Sequence, residues 1–234
     1  MSLIQQPVGI IHTPYQQKFA IPRQPGLVNS AVGIIQFLPQ FSDPNMLRDI
    51  EQFSHLWLIF QFHATTEQGW SPLVRPPRLG GNQKTGVFAT RSSFRPNNMG
   101  LSVVEFVKVV LQQKTLELHV RGMDLLDGTP ILDIKPYIPY ADALPEAKGG
   151  FAQHSPTLMP VTFSPLAMQQ VLHLEQHYPE LKTLISQVLA QDPRPAYHAK
   201  SEPDKLYGMN LYKLNIQWRV IDDCCQVEDI QPSD

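Results

Sequence analysis

Apolar and polar residues alternate along the first two-thirds of the chain in short runs. Val8–His12 and Ser30–Leu38 both have the two-residue period of a half-buried strand, the second placing Ala31, Gly33, Ile35 and Phe37 on one face. His55–His63 is apolar almost throughout and rich in β-formers, which predicts a strand buried on both faces. Further strands are predicted at Gly86–Thr90, Ser102–Leu111, Thr115–Arg121 and Ile131–Ile134. Between them, Ala20–Leu27 and Trp70–Gly86 are rich in proline and glycine and read as ordered loops. Asp43-Pro44 has the form of an N-cap with proline at the first helical position, predicting a short helix to about Gln52.

The pattern changes after residue 142. An exposed linker is predicted over 143–157, marked by Gly149-Gly150. Ser164-Pro165 opens a predicted helix to about His177, and Pro179-Glu180 opens a second to about Gln191. Tyr207–Ile221 reads as a long strand or a hairpin. The expected organisation is a mainly β body over 1–142, the linker, and a small α+β unit over 158–234.

Composition narrows the reading. The chain has 234 residues, 42% of them hydrophobic, which suits a folded globular protein. Its 22 prolines, about 9% against a usual ~5%, favour short strands and ordered loops over long helices. Two adjacent cysteines, Cys224 and Cys225, cannot build a disulfide framework, so a reducing compartment is expected. The longest apolar run, Leu56–Phe60, is far below the ~20 residues that cross a bilayer. The first residues show neither the basic nor the apolar region of a signal peptide. No membrane association and a cytoplasmic location are therefore expected.

The net charge of −2 hides an asymmetry. Residues 1–104 hold eight Lys/Arg against four Asp/Glu, whereas 105–234 hold eleven against seventeen. The stretch 68–104 has no acid and carries Arg75, Arg78, Lys84, Arg91 and Arg95. Four guanidinium forks without acids suit phosphate or carboxylate; a solvated loop paired with distant acids is the plainer alternative.

Several familiar signals are absent or incomplete. Leu79–Thr85 places Gln83 where a phosphate-binding loop needs glycine, and no Gly-x-Gly-x-x-Gly follows a strand into a helix. His173 and His177 stand four apart on a predicted helix but lack a third ligand, so no metal is expected.

Three segments concentrate reactive residue types. Gly86–Ser102 includes Arg91, Arg95, Pro96, Asn97, Asn98 and Gly100; Asp124–Tyr137 includes Asp127 in a turn and Asp133 inside an apolar strand, next to Lys135-Pro136. Asp192–His198 sets Arg194 among prolines beside Tyr197 and His198, which suits either an RNA loop or plain packing.

Together with Val74–Gly81, these segments resemble the TsaA-like, TrmO-type family of bacterial tRNA methyltransferases over essentially the whole chain. The resemblance implies methyl transfer from S-adenosylmethionine to N6 of N6-threonylcarbamoyladenosine, just 3′ of the anticodon of threonine tRNA. It also implies a mainly β fold: a β-barrel that binds the donor without a Rossmann sheet, followed by a small C-terminal α+β domain implicated in tRNA binding. A homodimer is expected as well. Asn98 and Met99 depart from the proline and isoleucine usual after Asn97.

Carried over, the donor contacts fall at Pro25, Gly26, Leu27, His63, Ala64, Arg91, Leu101, Ile131, Leu132, Asp133 and Ile134. Physically, the backbone beside Gly26 allows close approach, Leu101 and Ile131 are apolar flanks for an adenine ring, and Arg91 suits the methionine carboxylate. The acceptor nitrogen is a weak nucleophile, so Asp133 and Asn97 are the candidate catalytic groups. Arg95 and Lys135 are candidates for reading the threonylcarbamoyl carboxylate, Arg95 being preferred, and Arg194 and Tyr197 for contacting the anticodon loop. The competing readings are a non-catalytic RNA- or nucleotide-binding module and a methyltransferase acting on a small metabolite.

Overall fold

The computed structural model describes residues 6–112, 115–194 and 205–233. Six antiparallel strands close into a barrel: β1 (Gly9–His12), β2 (Val32–Phe37), β3 (His55–Gln61), β6 (Met99–Gln112), β7 (Thr115–Arg121) and β8 (Thr129–Pro136), in the order β1-β2-β7-β6-β3-β8. Closure removes the unpaired edges of an open sheet. The two-residue period survives folding: Ala31, Gly33, Ile35 and Phe37 all point inward and are buried. On β3, Leu56, Leu58 and Phe60 do the same. Ile35, Phe37, Leu56, Leu58 and Phe60 each contribute roughly 1.5–3 kcal/mol by leaving water.

Between β3 and β6 a two-stranded hairpin stands apart from the barrel, formed by β4 (Leu73–Val74) and β5 (Thr85–Gly86). The expected strand Gly86–Thr90 is instead the end of β5 and a 3₁₀ turn over Val87–Ala89. The expected helix at 43–52 is two 3₁₀ turns, Pro44–Leu47 and Ile50–Gln52. Asp43 caps the first turn as predicted, but Asp49 takes a left-handed φ of 66° and prevents the two from joining.

After a one-turn helix α1 (Pro139–Asp142), an exposed stretch leads to β9 (Val161–Phe163), α2 (Pro165–Leu174) and α3 (Leu181–Leu189). Ser164 caps α2 by accepting the Ala167 N–H at 3.0 Å, with Pro165 at the first helical position. Helix α3 begins one residue later than predicted, because Glu180 is left-handed (φ 61°). Strands β10 (Tyr207–Leu211), β11 (Leu214–Ile221) and β12 (Cys224–Pro232) complete a sheet of order β10-β11-β12-β9, in which β9 runs parallel to β12. Of the two readings open for Tyr207–Ile221, a long strand or a hairpin, the chain forms the hairpin β10–β11, and the sequence pattern stopped short of β12. In β12 the buried Cys225, Val227 and Ile230 are broken in phase by a bulge opposite Gln217/Trp218.

This second unit sits against one end of the barrel. Tyr15 bridges to Leu211, the Tyr212 N–H donates to Pro14 O at 2.7 Å, and Ser30 Oγ donates to Gln187 Oε1 at 2.8 Å. Arg23 Nη2 donates to Asp192 O at 2.9 Å. One continuous apolar core runs through both units.

Candidate active site

Strand direction decides what gathers at the capped end. The barrel is antiparallel, so the ends of β1, β3 and β7 and the starts of β2, β6 and β8 lie there together: Gln61 pairs with Met99, Phe60 with Ile131, and Val32 with Arg121. The loop 24–27 enters β2 there, His63 and Ala64 follow β3, and Arg91–Leu101 leads into β6. The segment Gly122–Asp124 leaves β7. A shallow depression of about 440 Å³ lined by Pro39, Ser42, Pro44 and Leu111 belongs to the opposite end.

Two glycines let the first of these loops close. Gly26 and Gly122 have φ of +77° and +74°, and the Gly26 N–H donates to Gly122 O at 2.8 Å. At Gly100, paired with Phe60 across β6 and β3, an added Cβ would collide with the Phe60 ring, so only glycine permits this start of β6. Arg91 reaches across to the first loop and donates from Nη1 to Gln24 Oε1 at 2.6 Å. Its partner is neutral and the residue is exposed, so its charge is available to an anion.

Beneath Arg91 lies a polar pair that the sequence reading missed. Ser102 Oγ donates to Asp124 Oδ1 at 2.5 Å, and Ser102 is buried on the inward face of β6. Burial drives the pKa of Asp124 above the usual carboxylate value, against the Ser102 hydrogen bond and the Arg91 charge, which oppose the shift. The fully buried Tyr15 hydroxyl has no hydrogen-bond partner among the described residues, and burial, then the charges of Tyr212 and Asp124, raise its pKa. The readable signal was a serine at an inward strand position and an aspartate in the apolar run Gly-Met-Asp-Leu-Leu.

A second group lies on the outer barrel face. Leu101 (52% exposed), Ile59 and Asp133 form one row across β6, β3 and β8. Ile59 pairs with Asp133 and Phe60 with Ile131, which leaves Leu132 as a bulge at the edge of the site. Asp133 accepts the Ile134 N–H at 2.9 Å and pairs with Lys135 at 3.5 Å, both side chains being more than half exposed. Ile131 does not offer an apolar flank, because its side chain is fully buried in the barrel; Ile134 packs against the same core.

The remaining candidates are placed as follows. Pro25, Leu27 and His63 are half-buried, and Ala64 and Asn97 are exposed. Arg95 lies within its own loop, where Nη1 donates to Thr90 O (3.2 Å) and Ser92 O (3.4 Å). Arg194 is not at this site as a free cation. Its side chain is 8% exposed and bound by Asp192 through Nε (2.7 Å) and Nη2 (3.0 Å). Tyr197 and His198 lie outside the described residues.

Two family models cover nearly the whole chain: the tRNA-methyltransferase O N-terminal domain matches residues 10–143, and the TrmO C-terminal domain matches 156–233. The chain belongs to the TrmO family. It is 49% identical over 226 residues to an Escherichia coli tRNA (adenine(37)-N6)-methyltransferase, covering 96% of each chain. A Pseudomonas aeruginosa protein, RcsF, whose name places it among S-adenosylmethionine-dependent methyltransferases, is 46% identical over 91% of this chain and 90% of its own. The crystal structure of TrmO from Pseudomonas aeruginosa superposes with a TM-score of 0.82 at 38% identity, covering 99% of both chains. A mainly β fold with a closed barrel is thus common to the chain and its family.

The barrel end fits the donor implied by these family names. Gly26 leaves open space where a side chain would stand, Arg91 offers an exposed cation whose hydrogen bond goes to a neutral amide, and Leu101 offers exposed apolar surface. Among the described residues, no three His, Cys, Asp or Glu side chains are grouped to hold a metal ion, and no helix is long and apolar enough to cross a membrane.

Proposed function

We propose that this protein methylates N6 of adenosine 37 in tRNA, with S-adenosylmethionine as the methyl donor. The observation that carries the reading is the near full-length likeness to a tRNA (adenine(37)-N6)-methyltransferase, in a chain whose barrel end has an exposed arginine over a glycine-opened loop. When bound, the donor supplies a methyl group made electrophilic by its sulfonium; the S–CH₃ bond breaks onto sulfur as the N6–CH₃ bond forms and the N6 proton departs.

The chain's own residues then have three tasks. Arg91 exchanges its neutral Gln24 contact for the donor carboxylate, a charge-assisted pair roughly twice as strong as a neutral one. Loop 25–27, His63–Ala64, Leu101 and the Leu132 bulge hold the donor's remaining surface, which turns a bimolecular encounter into an aligned one. Asp133 serves as the oxygen acceptor for the departing N6 proton, with Asn97 orienting the nitrogen.

The finer reading is N6-threonylcarbamoyladenosine in threonine tRNA. Its carboxylate calls for a cation, and Arg95 and Lys135 are the proposed readers. Lys135 is the less restrained, because an exposed lysine–aspartate pair is worth at most about 1 kcal/mol. We extend the proposal to a homodimer acting in the cytoplasm, with the C-terminal unit contributing to tRNA contact. The test is direct: purified protein, methyl-labelled donor and tRNA with or without the threonylcarbamoyl group, followed by nucleoside mass spectrometry. N6-methylated product from the modified tRNA alone supports the full reading. Label in a small metabolite, or none in RNA, rejects it.

A further inference from the structure

The hairpin arm between β3 and β6 carries surface that methyl transfer leaves unused. Phe88 is 77% exposed and Trp70 59%; among the described Phe, Tyr and Trp residues only Tyr140 is more exposed than these two. Backbone bonds from Val87 N to Pro72 O and from Ser71 N to Phe94 O tie both residues to the same end of the β4–β5 hairpin. The Phe88 ring rests near the Arg95 guanidinium, 5.9 Å from its centroid, and Arg95 is in turn anchored on Thr90 O and Ser92 O. A cation fixed by backbone thus backs an exposed aromatic ring. At the other end of the same hairpin of two-residue strands, Arg75, Arg78 and Lys84 are exposed, and no carboxylate of the described residues pairs with them.

We propose that this arm is a stacking surface for unpaired RNA nucleotides. Phe88 and Trp70 are its platforms, and Arg75, Arg78 and Lys84 grip the phosphates between the stacked bases. The inference rests on the reading of the protein as a tRNA enzyme and adds where and how the loop is held. Every base has a π face, so aromatic rings within an acid-free cationic segment hold single strands without reading their sequence. The arm also runs directly into Arg91 and Leu101, so RNA stacked on it is delivered towards the donor end of the barrel. Packing the arms of two copies against each other would oppose cation to cation.

The experiment uses the full chain and two RNAs of equal length, a hairpin with an unpaired loop and a blunt duplex. Phe88→Ala is expected to weaken hairpin binding about tenfold, with no change for the duplex and none in the slope of affinity against salt. Phe88→Trp keeps a stacking face and retains hairpin affinity. Lys84→Ala and Arg78→Ala weaken both RNAs and each lower the salt slope by about one. Melting temperature and donor affinity stay at the parent values in Phe88→Ala, since the ring is exposed and faces Arg95 rather than a proposed donor contact. Hairpin affinity unchanged in Phe88→Ala overturns the proposal. So does a change in sedimenting mass that accounts for any loss of RNA binding, which would assign the ring to a contact between copies. A parent protein that binds hairpin RNA but methylates no tRNA would reject the enzymatic reading and leave the stacking surface standing.

Discussion

At the capped end of the barrel, polar groups are short of partners. Burial works against the charge of Asp124, which keeps Ser102 and the nearby Arg91 charge in its favour; the Tyr15 hydroxyl has no hydrogen-bond partner among the described residues; and the exposed Arg91 donates its hydrogen bond to the neutral Gln24. In the C-terminal unit, charges are answered. Arg194 is bound twice by Asp192, Arg219 pairs with Glu228 at 2.9 Å, and Asp229 accepts from Gln170 at 2.6 Å. Two arginines singled out by the sequence thus meet opposite fates. Arg91 is left open to an anion, while Arg194 is neutralised by Asp192 two residues before it. A buried polar group without a partner is costly, whereas an exposed arginine with a neutral partner stays open to an anion.

The most disruptive way to break this contrast is to cut the joint between the units. Tyr15→Ala removes a fully buried ring at that joint and should cost about 3–5 kcal/mol. Calorimetry should show one transition in both parent and variant, at a lower temperature in the variant. Two separated transitions in the parent would mean that the continuous core does not couple the units.

The two arginines supply a mirrored pair. Arg91→Ala should lower donor affinity by about 1.5–3 kcal/mol, roughly tenfold to a hundredfold, with an unchanged melting temperature. Arg194→Ala should do the reverse, costing about 1–3 kcal/mol of stability while calorimetric titration with donor stays at the parent value. A donor-binding loss in Arg194→Ala, or none in Arg91→Ala, would dissolve the distinction between the regions.

The smallest effects separate the regions by the sign of their pH dependence. Burial places the folded pKa of Asp124 above its unfolded value near 3.8, so the associated stability is full below that value and is lost as pH rises through the folded pKa. The Gln170 hydrogen bond places that of Asp229 below 3.8, so its contribution is full above that value and is lost as pH falls through the folded pKa. Asp124→Asn should therefore raise the melting temperature increasingly towards neutral pH. Asp229→Asn should lower it near neutrality and lose its effect on acidification. Parallel pH profiles for the two variants would contradict the comparison.

Periodic side-chain patterns and short-range capping were determined by the sequence alone. The alternation from Ala31 to Phe37, the buried run of β3, the Ser164-Pro165 start of α2 and the family motifs around Arg91 and Asp133 all rest on residues close together in the chain. Such signals are local because a strand's two-residue period and an N-cap each involve only a few neighbouring residues. Tertiary structure decided everything that depends on who faces whom. The Ser102–Asp124 pair joins residues from two strand ends, and the partner of Arg194 turned a candidate RNA contact into a buried tie. Barrel closure took the Ile131 side chain away from the site, and strand β12 was settled by pairing with β11 across a bulge. Burial and charge pairing are set by through-space neighbours, and those exist only once an antiparallel barrel has brought six strand ends to one place.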